Sequence, residues 1–290
     1  MPAVPLPIVL AVLFAALLHA SWNALIKSGK DKSLDTALVH SIGFLVALPL
    51  LLHAGLPARE SWPYLLASLV IHLGYYIALA GAYKHGDLGL TYPLMRGCAP
   101  MLVALGSLAL IGEALSHRAW AGVAVLCAGV VTLGLARSAM HVDPSANRSK
   151  ALAFALANAV IIAVYTVVDG LGVRVSGNAV AYAATLFLFD GIPFLLLVLW
   201  RRPGRRREAL AYMKGRWPIA LGGAVASLGS YGIALWAMTH APVAVIAALR
   251  ETSVLFAALI GALWLREPFG LQRGAGTLLI LAGVLVLRLG

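Results

Sequence analysis

Four ionisable residues, Arg96, Asp190, Arg250 and Glu251, each interrupt an apolar run long enough to cross a bilayer. A charge in hydrocarbon is costly, so such groups turn toward a protein interior or an aqueous path. There they pair, hold a ligand or carry a proton. Arg96 stands in Tyr92-Pro93-Leu94-Met95-Arg96-Gly97-Cys98-Ala99-Pro100. Two prolines and a glycine predict a kinked or locally unwound helix, with backbone groups released toward a cavity. An arginine bonded to carbonyls of a neighbouring helix, or snorkelling to the interface, is the structural alternative.

Arg250 and Glu251 are adjacent, and neighbours on a helix lie about 100° apart, so each must find a different partner. Two guanidinium groups lining one cavity would bind an anionic group through paired hydrogen bonds. Glu251 would meet an ammonium group or carry a proton, unless it closes an ion pair within or between helices. Asp190 sits mid-way along its apolar run and needs a partner or a proton, which makes it, with Glu251, a candidate proton relay. Asp169 and Lys27 fall near the ends of their runs and are expected at the interface. Trp22, Tyr76, Tyr165 and Tyr231 are candidate pocket walls beside Tyr75 and Trp236, since aromatic faces stack on apolar ligands or cradle cations. The alternative for each is an interface anchor. His19, His40 and His72 show no metal-ligand spacing, so no metal site is expected. Glu113 and Glu267 precede apolar runs, where an acid favours the helix dipole, and Ser116 is placed to cap.

The elements that must position these residues are written twice. Arg96–Ala136 shifted forward by ~154 positions lands on Arg250–Gly290 with about eleven identities in roughly forty positions. Arg96 falls on Arg250, Gly97 on Glu251, Glu113 on Glu267 and Ala128-Gly129-Val130 on Ala282-Gly283-Val284. Tyr75–Ala80 echoes Tyr231–Trp236. Hydropathy predicts ten spans: 6–26, 36–54, 63–83, 88–111 and 117–136, then 150–171, 179–200, 215–238, 243–264 and 270–289. The expected fold is therefore an all-α membrane protein of ten transmembrane helices. Residues 1–137 and 150–290 form two five-helix repeats joined by a polar connection, 138–149. An odd number of spans per repeat makes the two inverted, and substrate sites of such carriers lie between the repeats. Glycines at Gly122, Gly129, Gly134, Gly274, Gly276 and Gly283 are expected where helices pack closely. Such small-residue faces leave homodimerisation open.

Of 290 residues, 61% are hydrophobic and 11% charged, against roughly 45–50% apolar and 25% charged in soluble domains. The formal net charge of +11 gathers around Arg201-Arg202-Pro203-Gly204-Arg205-Arg206-Arg207. Such a cluster beside a span is an orientation signal or an anionic-lipid contact, so nucleic acid is not an expected partner. Connections after odd-numbered spans carry the excess of Lys and Arg, which would place both termini outside. Cys98 and Cys127 lie within spans and imply no disulfide framework. The apolar N-terminal run lacks a basic flank and a small-residue cleavage site, and is expected to be a first helix rather than a signal peptide. No phosphate-binding loop, nucleophile elbow or zinc-protease motif occurs, and no cofactor is expected.

His19-Ala20-Ser21-Trp22-Asn23-Ala24, Tyr92-Pro93-Leu94-Met95-Arg96-Gly97, Gly112-Glu113-Ala114-Leu115 and Arg266-Glu267-Pro268, in that order, resemble the EamA-type branch of the drug/metabolite transporter superfamily. The first two stretches also look like a subgroup associated with phosphonate utilisation. The resemblance implies alternating-access movement of small metabolites, often export across a bacterial inner membrane, and cytoplasmic termini. It carries no universal catalytic residue onto this chain. The expectation is a secondary transporter of an amino acid or amino-phosphonate-like compound, with small molecule and lipid bilayer as partners. A lipid-linked flippase, a membrane-embedded enzyme and a structural subunit are the alternatives.

Overall fold

A computed structural model describes residues 4–85, 88–138, 148–264 and 270–289. Its elements are α1 (Leu6–Ser28), α2 (Lys32–Ala54), α3 (Trp62–His85), α4 (Leu88–Ile111), α5 (His117–Ser138) and α6 (Arg148–Val175). They continue as α7 (Ala179–Trp200), α8 (Arg206–Met238), α9 (Val243–Arg250), α10 (Ser253–Trp264) and α11 (Leu271–Leu289). Among the described residues, ten segments are long and apolar enough to span a membrane, α9 and α10 making up one of them. Glu267 and the 139–147 part of the connection lie outside the described residues.

Local signals explain the ends. Asp31 caps α2 by accepting from the Leu34 N–H at 3.1 Å, and Asn178 caps α7 by accepting from Val180 and Ala181. These side chains satisfy donors that a helix start leaves unpaired. Gly112 ends α4 at φ +74°, a left-handed conformation that favours glycine. That turn sends Glu113 away from its own helix.

The most extensive packing pairs are α5 with α11, α2 with α7, α3 with α6 and α1 with α8, followed by α4 with α5 and with α6 and by α2 with α8; α4 also meets α9, over a smaller contact. Exchanging the first five spans for the last five leaves the four leading pairs unchanged: α3 with α6 becomes α8 with α1, and α5–α11 and α2–α7 map onto themselves, as does α4–α9. The α5–α11 contact is made through glycine. A Cβ at Gly129 would stand 2.7 Å from the Ile280 nitrogen, and one at Gly276 2.7 Å from the Leu133 nitrogen. Gly122 and Gly283 meet Leu287 and Leu126 as closely, whereas Gly274 faces open space and is not a packing position. Close backbone approach of this kind holds helices together where hydrophobic exclusion from water is weak.

Two differences from expectation bear on the middle and later spans. The fourth span, with Pro93 and Pro100, is one continuous helix, so the expected unwinding around Arg96 is absent. The break lies instead at the repeat-related place, between α9 and α10. There Glu251 N–H donates to Ala248 O at 3.0 Å and Thr252 N–H to Leu249 O at 3.1 Å, tightening the turn to i→i+3 spacing. The Thr252 hydroxyl takes the same Leu249 carbonyl at 2.7 Å. Side-chain competition for a helix carbonyl favours such departures, and neither glycine nor proline is needed. The second difference is α8, which begins at Arg206 rather than 215. Its early residues Ala209 and Met213 are buried with Leu34, Leu38 and Val198, so packing extends the helix past the hydropathic boundary.

At this end the α1–α2 hairpin is clamped to the α7–α8 corner. Arg202 meets Asp31 with both Nη groups, at 2.7 and 3.1 Å, and Arg216 Nε donates to buried Asp35 at 2.8 Å. Tyr212 donates to Asp35 and accepts from the Lys30 N–H. Burial raises the Asp31 carboxyl pKa, but the Arg202 bond, the Leu34 N–H and Ser33 outweigh it and set it at about 2, against 3.8 ordinarily. A carboxyl held down in the folded state stabilises the fold above its unfolded pKa and ceases to do so as pH falls through the folded one. The clamp is thus expected to contribute fully above about pH 4 and to be lost toward about pH 2. Thermal unfolding followed across that window should show the decline in the wild type and a smaller one in Asp31→Asn. Identical pH profiles would contradict the assignment.

Candidate functional site

Buried ionisable groups from α4, α9 and the α9–α10 break meet in the interior. Arg96 Nε stands 2.8 Å from Glu251 Oε2, with side-chain exposures of 11% and 6%, so the pair is shut away from bulk water. Arg250, the next residue, turns elsewhere and lies over the Tyr231 ring at 4.9 Å from its centroid. The adjacent acid and base thus take separate partners, as their 100° offset requires. A guanidinium over an aromatic face is attracted by the ring quadrupole.

The chain of contacts continues through a carboxylate. The Tyr231 hydroxyl donates to Asp169, and Tyr182 donates to the other oxygen of Asp169 at 2.9 Å. Asp169 is fully buried, not interfacial as its place near the end of an apolar run suggests. The reason is that α6 extends to Val175, which places Asp169 inside the span.

Asp190 forms the second acidic centre. It accepts from the Tyr76 hydroxyl at 3.1 Å, and lies 3.4 Å from His40 Nδ1 and 3.9 Å from His72 Nδ1. His72 also sits 3.4 Å from Ser68 Oγ, and both side chains lie close to Asp169. Ser68, His72 and Tyr76 follow one another at four-residue spacing, so one face of α3 connects the two carboxylates. Around them runs an aromatic wall. Trp22 packs edge-on against His19 and His40, His40 against Tyr76, and Tyr76 stacks on Phe194 at 4.5 Å. Tyr165 lies 4.6 Å from the His72 ring and meets Tyr75 edge-on. The Trp22 Nε1–H and the Ser230 hydroxyl are buried without a hydrogen-bond partner, which leaves polar capacity among these residues.

Of the seven residues expected at a substrate site, Arg96, Tyr165 and Glu251 are buried and Trp22, Tyr76, Tyr231 and Arg250 are half-buried, with Asp190 beside Tyr76. Asp169, His40, His72 and Ser68 join them without having been singled out for it. The signal for Ser68 and His72 is the i, i+4 stripe of polar residues in α3, and for Asp169 its place one turn beyond Tyr165; His40, in α2, carries no such signal. Among the described residues no group of three His, Cys, Asp or Glu is placed to hold a metal ion. The arrangement can pair an anion with guanidinium, cradle an ammonium against aromatic rings, and pass a proton between carboxylates through imidazole.

Glu113 has a different role from the one its sequence position suggests. It pairs with Arg174 at 2.6 Å and accepts the Val243 N–H at 2.9 Å. It thereby serves the N-terminus of α9 rather than that of α5, whose start Ser116 caps through the Ala119 N–H. Arg174 also donates to the Met238 and Ala241 carbonyls, closing the α8–α9 corner.

Residues 149–289 match the EamA-like transporter family. A segment of 73 residues is 37% identical to the spermidine export protein MdtI of Klebsiella pneumoniae subsp. pneumoniae, covering 25% of this chain and 67% of that protein. A solved crystal structure of a protein superposes with a TM-score of 0.76 over 98% of both chains at 24% identity, a likeness of fold. Ten membrane-capable helices make this a multi-pass membrane protein, and the relatives are transporters rather than enzymes. On these grounds the chain belongs to the EamA-like transporter family, within the drug/metabolite transporter superfamily.

Proposed function

We propose that this transporter works by alternating access and exports a small metabolite carrying both an anionic and an amino group, such as an amino acid or aminophosphonate, across the inner membrane. The two sets of five helices, 1–137 and 150–290, act as inverted repeats that rock about a hydrated crevice between them. The self-exchanging helix pairing supports that reading. The observation that carries the substrate class is the buried Arg96–Glu251 ion pair at the α9–α10 break. A substrate carboxylate or phosphonate takes the place of Glu251 on Arg96, with Arg250 as second donor, and Glu251 receives the amine. The exchange replaces one buried ion pair by two, so neither state leaves a charge unpaired. Tyr76, Tyr231, Trp22 and Tyr165 form the walls, and Asp190 carries the proton that couples movement to a gradient.

Spermidine, the cargo in the name of the Klebsiella relative, gives a second reading. Asp169 and Asp190 among aromatic rings are suited to two ammonium groups without an anion.

The test is a thermal-shift screen of the purified protein with amino acids, aminophosphonates and polyamines, followed by flux of the best ligand in proteoliposomes. A folded-state ligand at about 100 times its Kd stabilises by about 2.7 kcal/mol. Zwitterions should raise the melting point, and Arg250→Ala and Glu251→Gln should abolish their flux while the protein stays folded. Stabilisation by polyamines alone would select the second reading. Wild-type flux in both variants would remove the site.

A further inference from the structure

The corner between α7 and α8 carries a feature that the central cluster does not explain. An apolar groove of about 660 Å³ is lined by Leu196, Leu197, Leu199, Trp200 and Arg206. Leu196 is 62% exposed and Trp200 67% exposed, so the groove opens outward rather than into the bundle. Trp200 is the last residue of α7 and Arg206 the first of α8, which puts the groove's upper end where a span leaves the membrane. An exposed tryptophan at that depth is typical of the headgroup boundary.

The arginines here divide into two sets. Arg202 is consumed by Asp31 and Arg205 by Glu208. Arg201, Arg206 and Arg207 are exposed, and among the described residues no carboxylate lies within ion-pair distance of them. Arg206 Nε reaches back to the Leu199 carbonyl at 3.4 Å, which holds its guanidinium over the groove. Arg206 thus lines the apolar groove itself, and the exposed Arg201 and Arg207 follow its lining residues Trp200 and Arg206 directly in the chain. One ligand satisfies both halves: a phosphodiester for the guanidinium forks, joined to an alkyl chain for the leucines.

We infer that this groove seats an anionic phospholipid, its acyl chain along Leu196, Leu197 and Leu199 and its phosphate on Arg201, Arg206 and Arg207. The neighbouring Arg202–Asp31 and Arg216–Asp35 ties hold the same corner to the α1–α2 hairpin, so the lipid braces the joint on which that hairpin rests. The inference uses no residue of the central cluster and stands or falls apart from the substrate reading.

The full-length protein in phosphatidylcholine vesicles provides the test. Acyl-brominated phosphatidylglycerol or acyl-brominated phosphatidylcholine is added, and the Trp200 signal is taken as the difference between wild type and Trp200→Phe. Brominated phosphatidylglycerol should quench that signal at a mole fraction at least roughly tenfold lower than brominated phosphatidylcholine. Arg201→Gln and Arg207→Gln, both exposed and outside the ion pairs, should each reduce the preference about fivefold. The triple variant that also carries Arg206→Gln should abolish it. Equal quenching by the two lipids, or a preference undiminished in the single variants, would overturn the inference. So would relief of quenching by millimolar glycerol phosphate, which would show a site for soluble phosphate instead of lipid.

Discussion

Arg96→Met is expected to destabilise the protein by about 3–5 kcal/mol, because it leaves the Glu251 carboxylate buried without its partner. Adding Glu251→Leu to the same chain should restore most of that stability. Removing both members of a buried ion pair in favour of apolar groups is often neutral or favourable, since the desolvation cost disappears with the charges. Thermal unfolding of the wild type, both single variants and the double variant measures the coupling directly. Transport separates a structural pair from a working one. If Arg96 and Glu251 only hold α4 against the α9–α10 break, the restabilised double variant should move substrate normally. If they bind it, that variant should be folded and inactive. Normal flux in the double variant would move the site elsewhere in the bundle.

The second large effect is expected at Asp190. Asparagine is close in size and keeps an oxygen for the Tyr76 hydroxyl, so Asp190→Asn should fold. It cannot take a proton, however, and the contact with His40 at 3.4 Å and His72 at 3.9 Å loses its charge. In proteoliposomes loaded with a pH-sensitive dye, substrate-driven proton movement should fall by about a hundredfold, the scale set by loss of a positioned proton-transfer group. His72→Gln should give a smaller loss, because it breaks the link between Asp190 and Asp169 but leaves both acids in place. Undiminished proton movement in Asp190→Asn would end its assignment as the relay.

Particular residues show how far the sequence could be read. Arg96 and Arg250 were identifiable because a charge in an apolar run has few places to go, and because the repeat places them together. Glu251 stood out through its repeat partner, Gly97. Asp169 was misjudged because hydropathy ends a span where polar residues begin, and α6 does not end there. The same error hid the start of α8, whose early turns are held by Ala209 and Met213 against α2 and α7. Prolines pointed to a break in the fourth helix, yet neighbours support that helix throughout and the ninth span breaks instead. A proline removes one hydrogen bond, which packing can absorb. A hydroxyl competing for a carbonyl, beside a glutamate drawn to Arg96, changes the local turn.

Composition and the spacing of apolar runs were enough to fix an all-helical membrane protein with ten spans and an internal echo, since each follows from the thickness of a bilayer and the rise of a helix. Tertiary structure alone decided which polar groups meet. Glu251 could have turned to Arg250's helix or to another, and its 2.8 Å contact with Arg96 depends on how α4 crosses α9. Asp190 could have reached any histidine, and His40 and His72 are its neighbours only because α2 and α3 both pack on α7. Such partnerships join residues more than a hundred positions apart. Helix crossings set by small-residue contacts choose among them, and local sequence carries no record of that choice.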